Sequence, residues 1–155
     1  MRAARLLAGL GLLAGAAVAE VRDEEFVAGD LLVQIEVIDP VEIMWAGPNQ
    51  FERIQVLSAA DIEVVDLLAD DEAVQMLGTR ALVAVVPGTH SCENLGDPLA
   101  YYVVTLGEEL ATDGPLTTCV ELTVSTTPGQ IVLEEDPMGD GEHWTWSARG
   151  GFAGG

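Results

Sequence analysis

Residues 92–119, CENLGDPLAYYVVTLGEELATDGPLTTC, decide the reading of the fold. Within them, 99–106 (LAYYVVTL) is apolar on both faces and rich in aromatic and β-branched residues, which suits a strand near the middle of a sheet. Asp113-Gly114-Pro115 carries turn residues, and a second strand run begins at Leu116. The only two cysteines bracket the segment, so the spacing predicts two neighbouring strands held by a Cys92–Cys119 disulfide. Closing a 28-residue loop in this way is worth about 3–4 kcal/mol in the chain-entropy picture. The sharper alternative, a nucleophilic Cys92 beside His90, needs a free thiolate and is the weaker reading with Cys119 as a partner.

Upstream, 81–86 (ALVAVV) is a short continuous apolar run, the pattern of a strand buried on both faces. Downstream, Leu116, Thr118, Val120, Leu122 and Val124 alternate with Thr117, Cys119, Glu121 and Thr123, the clearest strand period in the chain. Pro128-Gly129 suits the centre of a type II turn, after which Ile131 and Leu133 return as a hairpin partner. Residues 142–147 (EHWTWS) supply a last strand with Trp144 and Trp146 on one face. Residues 149–155, with four glycines, read as a flexible tail.

Closer to the N-terminus, Val33, Ile35 and Val37 alternate with Gln34 and Glu36, and Asp39-Pro40 interrupts the run. Val41, Ile43 and Trp45 then resume it against Glu42 and Met44. Gly47-Pro48-Asn49 is a turn, and a third strand follows at 51–57. Residues 58–77 predict a helix. Ser58 is a suitable N-cap, and Glu63, Asp66 and Asp70 share a face opposite Ile62, Val65, Leu68 and Ala69. The adjacent pairs Val64-Val65 and Leu67-Leu68 defeat strand alternation, Asp70-Asp71 is a break point between two shorter helices, and Gly78 is a stop. The expected architecture is therefore mostly β: an antiparallel β-sandwich or partly open barrel of seven to eight short strands with one inserted helix. A layered α+β fold is the alternative.

Residues 1–19 read as a signal peptide. Arg2 and Arg5 precede the uncharged apolar run 6–18, and Ala17-Val18-Ala19 supplies small residues for cleavage before Glu20. Thirteen apolar residues would span only about 20 Å as a helix, short of the roughly 30 Å bilayer core. The expected product is exported, periplasmic or extracellular, with no membrane span after cleavage. Residues 20–148 form a single disulfide-stapled domain ahead of the tail. All 26 acidic residues fall in the mature part, 20–155, against Arg22, Arg53, Arg80 and Arg149, a formal charge of −22, and there is no lysine. Such a charge repels phosphate backbones and argues against nucleic acid as a partner. A cationic protein or peptide, or divalent cations, fit better.

Three groups of residues are candidates for a site. The acidic segment 134–143 sets Asp136, Asp140 and Glu142 on a glycine-containing loop suited to Ca²⁺ or another divalent cation, with His143 adding nitrogen for a transition metal. It lacks EF-hand spacing, and a charged hairpin loop is the simpler reading, so no cofactor is expected by default. Trp45, Trp144 and Trp146 fall in strands; an exposed pair would stack a sugar, a peptide or a protein partner, whereas paired tryptophans more often pack a core. Cys92 and Cys119 are the disulfide. No Gly-x-Ser-x-Gly, Walker, Gly-x-Gly-x-x-Gly or His-Glu-x-x-His motif occurs, and His90 and His143 are the only histidines. These features point to an exported acidic binding or interaction module without evident catalytic machinery. The alternatives are a small hydrolase using paired carboxylates and a metal-binding protein using the 136–143 loop.

Overall fold

A computed structural model describes residues 24–93, 96–135 and 141–155. Among them lie twelve strands and one helix. The strands are β1 (Glu24–Ala28), β2 (Leu31–Ile38), β3 (Val41–Gly47), β4 (Ile54–Ala59), β5 (Glu63–Leu68), β6 (Ala81–Pro87), β7 (Leu99–Leu106), β8 (Leu110–Thr118), β9 (Thr123–Thr127), β10 (Gln130–Glu134), β11 (His143–Ser147) and β12 (Gly151–Gly154). The helix α1 (Asp71–Leu77) falls between β5 and β6. The strands make three four-stranded antiparallel sheets in plain sequential order, β1–β4, β5–β8 and β9–β12, and none closes into a barrel.

Two apolar clusters place these sheets in layers. Val33, Ile35, Met44, Ala46 and Leu57 of the first sheet pack with Leu82, Ala84, Val86, Ala100, Val104 and Leu106 of the second. The alternate residues of the same central strands, Ala81, Val83, Val85, Tyr101 and Val103, face Leu122, Ile131, Leu133 and Trp146 on the side of the third sheet. The middle sheet is thus covered on both faces. This is why β6 and β7 read as continuous apolar runs: in a strand successive side chains point to opposite faces, and here neither face meets water. Both occupy the two inner positions of their sheet, as 81–86 and 99–106 predict.

Four sequence expectations give way. The helix expected over 58–77 is instead the end of β4, the strand β5 and the short helix α1. In β5, Val64 pairs with Ala84 and Asp66 with Val83, so Val65 is an extra, bulged residue. That bulge removes the conflict that adjacent valines pose for strand alternation. The helix starts at Asp70, whose side chain accepts the Ala73 N–H at 2.8 Å, and ends at Gly78, left-handed at φ +84°, which donates to Val74 O at 2.7 Å. A residue there needs positive φ, which glycine adopts without steric penalty.

Second, Asp113-Gly114-Pro115 is not the hairpin turn. That turn lies at Gly107-Glu108-Glu109, and 113–115 forms a bulge inside β8, where Tyr101 pairs with Leu116 but Val103 with Asp113. A Cβ on Gly114 would sit 2.7 Å from Tyr101 O, so the close backbone approach requires glycine. The proline is tolerated because β8 is an edge strand. Third, the alternating run 116–124 is divided, with β8 ending at Thr118 and β9 starting at Thr123 in a different sheet. Finally, the glycine-rich end contains β12, paired with β11 through Trp146↔Phe152 and Ser147↔Gly151. The mostly β, antiparallel architecture with one helix is as expected and compatible with a β-sandwich, with twelve strands among the described residues where seven to eight were expected. The Pro128-Gly129 hairpin is as predicted: Thr127 pairs with Gln130, and the Gly129 N–H donates to Met76 O at 2.7 Å, docking the hairpin on the end of α1.

Candidate functional site

The outward face of the first sheet carries an ordered polar and aromatic cluster. β2 alternates Val33 and Ile35 inward, which turns Gln34 and Glu36 outward, and β3 likewise buries Met44 and presents Trp45. Trp45 lies opposite Gln34 across the β2–β3 ladder. A bulge at Val56, between the pairs Met44↔Leu57 and Trp45↔Gln55, adjusts the register beside the tryptophan. Arg53 enters from the turn before β4 and stacks its guanidinium over the Trp45 ring, 4.4 Å from the centroid. Arg53 Nη1 donates to Gln34 Oε1 at 2.9 Å, and Nη2 lies 3.7 Å from Glu36 Oε2. Trp45 Nε1 donates to Glu36 Oε1 and Gln34 Nε2 to Glu25 Oε2, both at 3.3 Å.

The approach to this cluster is built by Asn49, whose Oδ1 accepts the N–H groups of Phe51 at 2.8 Å and Glu52 at 2.9 Å. That local turn projects Phe51 into solvent, where it is 85% exposed. A hollow of about 370 Å³ is lined by Glu24, Glu25, Gln34, Ile35, Glu36, Gln50, Phe51 and Arg53. Its lining joins three carboxylates to the exposed Phe51, and beside it Trp45 carries a cation on its ring, the chemistry of a cation receptor. Arg53 already occupies that chemistry from within the chain. Of these residues, the sequence marks only Trp45. Arg53 was legible merely as one of six arginines in an acidic chain, because its partners lie 8, 17 and 19 positions away.

The other aromatic candidates have a different fate. Trp146 has no solvent exposure, its indole N–H donating to Asp113 Oδ2 at 2.7 Å, so it offers no stacking surface. The reason is the third sheet, whose inner face Trp146 shares with Ile131 and Leu133. Trp144 is half-buried and packs against the same cluster. Of the acidic loop, Asp136 and Asp140 lie outside the described residues, while Glu142 and His143 are exposed at the start of β11.

Cys92 and Cys119 are bonded, with Cα atoms 5.5 Å apart. The bridge does not join two strands, as the sequence suggested. It ties the loop between β6 and β7 to the residue just past β8, where the chain crosses to the third sheet. Beside it, His90 Nε2 lies 2.7 Å from Thr118 O, and Thr118 Oγ1 donates to Val120 O at 2.7 Å. Deeper in the same layer, Tyr101 OH accepts the buried Leu122 N–H at 2.9 Å. Burial raises the Tyr101 pKa above its ordinary 10.0, the hydrogen bond from Leu122 opposes that rise, and the charges of Glu121 and Glu63 add to it.

Among the described residues, no helix is long and apolar enough to cross a membrane. Comparison with known protein families, curated proteins and solved structures finds no match to this chain.

Proposed function

We propose that the chain is an exported, acidic β-rich binding module that takes a cationic protein or peptide segment on the outward face of its first sheet. One observation carries the reading: Arg53 lies over Trp45 and against Glu36, which is how a basic side chain of a partner would be held. Phe51 adds an exposed apolar anchor at the rim, and Glu24 and Glu25 extend the carboxylate lining of the hollow. A formal charge of −22 on the mature chain would draw a basic partner toward the surface and raise its association rate. The disulfide supports export, since such bonds persist in oxidising compartments.

Titration of the mature protein with an Arg/Lys-rich peptide, by calorimetry at low and physiological salt, tests the site. Saturable 1:1 binding that weakens with salt is expected, reduced about 10-fold or more by Phe51→Ala and by Trp45→Ala. Binding that ignores these substitutions, or no saturable binding at low salt, overturns the proposal. N-terminal sequencing of secreted material is expected to begin at Glu20.

A further inference from the structure

We propose that His90, Cys92 and Cys119 form a redox-gated site for a borderline-soft divalent cation of the zinc class, open when the disulfide is reduced and closed when it forms. A ring nitrogen of His90 and both cysteine sulfurs lie within 4.8 Å of one another. Two thiolates and an imidazole are a donor set that suits zinc, and three protein ligands leave a fourth position for water or another ligand.

The histidine is oriented for such a role. With Nε2–H donating to Thr118 O, the ring is fixed by a backbone carbonyl, the arrangement that usually orients a metal-binding imidazole. Its other nitrogen, Nδ1, is buried without a hydrogen-bond partner among the described residues, whereas buried polar atoms ordinarily have one. One ring nitrogen is therefore uncommitted. The ring lies close under Gly88, where an added Cβ would come within 2.7 Å of Cε1 and 2.8 Å of Nδ1. Glycine at 88 is what makes room for it.

The sulfur–sulfur bond is not the only link between the two segments. Pro87, three residues before His90, and Thr118, one before Cys119, both pair with Leu99 of β7. Gly88 N–H also donates to Pro98 O at 2.9 Å. Backbone ladders thus converge the two segments. Reduced thiols have carbonyl acceptors at hand: Thr118 O lies 3.9 Å from Cys92 Sγ, and Ser91 O lies 3.8 Å from Cys119 Sγ.

The chemistry balances with an external dithiol reductant. Two electrons and two protons from the dithiol convert the disulfide to two thiols, and the dithiol leaves as its own disulfide. The cation then displaces both thiol protons and binds the thiolates with His90. Reoxidation by an external disulfide passes two electrons from the two thiolates to that disulfide, which leaves as two thiols with protons from solvent, while the Cys92–Cys119 bond re-forms and the cation is released.

The test is a zinc titration of the full mature protein, phosphine-reduced and oxidised, followed by calorimetry and chelator competition, with circular dichroism recording the fold. One equivalent is expected to bind the reduced form at least 100-fold more tightly than the oxidised form. His90→Ala should weaken zinc binding to the reduced protein by 10-fold or more, and His143→Ala should leave it unchanged. Reduced protein that keeps its native spectrum without binding zinc, or that binds equally well as His90→Ala, overturns the proposal. Reduced protein that unfolds and is not refolded by zinc does so too.

Discussion

The two interfaces of the middle sheet are made from alternate residues of the same strands, yet they are held in different ways. Toward the first sheet the fully buried side chains are aliphatic, with Met44, Ile35, Leu82 and Val104 among them, and the buried polar tie there is a carboxylate, Glu42 Oε1 accepting the Ile62 N–H at 2.8 Å, rather than an anchored aromatic. Toward the third sheet two large aromatics dominate, and each has a polar anchor: Trp146 on Asp113, and Tyr101 on the Leu122 N–H. Aliphatic burial is non-directional, so it fixes a distance between layers more firmly than a register. A buried indole or phenol that must find its partner fixes an orientation as well. The third layer, whose strands are four or five residues long, needs that specification most.

The contrast can be broken most sharply at Trp146. Trp146→Ala is expected to cost about 3–5 kcal/mol in denaturant unfolding, more than Trp45→Ala, whose side chain is only partly buried. Replacing both cysteines by alanine should cost about 3–4 kcal/mol. Because Cys119 sits where the chain crosses to the third sheet, hydrogen exchange should rise first in β9–β12, and uniform acceleration across the three sheets would count against this view.

Asp113→Ala leaves the Trp146 N–H without its acceptor and should lose about 1.5–3 kcal/mol, measured by the same unfolding. Tyr101→Phe leaves the Leu122 N–H unpaired, at a cost of about 1–2 kcal/mol. It also sharpens the pH profile. The folded Tyr101 pKa is raised, so its contribution is fully present below the ordinary value of 10.0 and is lost as pH rises through the folded value. Wild type should therefore lose stability above about pH 10 more steeply than Tyr101→Phe. The smallest effect belongs to the aliphatic interface: Met44→Leu conserves volume and should cost under about 1.5 kcal/mol.

Trp45 and Trp146 show how far the sequence could be read. Both sit in alternating strands, and nothing local separates them. Trp45 faces outward because Met44 is drawn into the core and, among the described residues, no layer covers the far side of the first sheet. Trp146 is buried because the third sheet folds its inner face onto the second. The Asp113 anchor was equally hidden: it lies 33 residues away, inside a bulge whose Asp-Gly-Pro composition reads as a turn.

The amino-acid sequence by itself determined the central strands, the hairpin at Pro128-Gly129, the bonded cysteine pair and the helix stop at Gly78. Each rests on a local signal: a continuous apolar run, a turn dipeptide, or the sole two thiols of the chain. Tertiary structure alone decided that 63–68 is a strand and that two tryptophans part ways. It also brought His90 to the sulfurs and Arg53 to Trp45. Bulges and layer order depend on contacts between segments distant in the chain, and the period of a single segment cannot encode them.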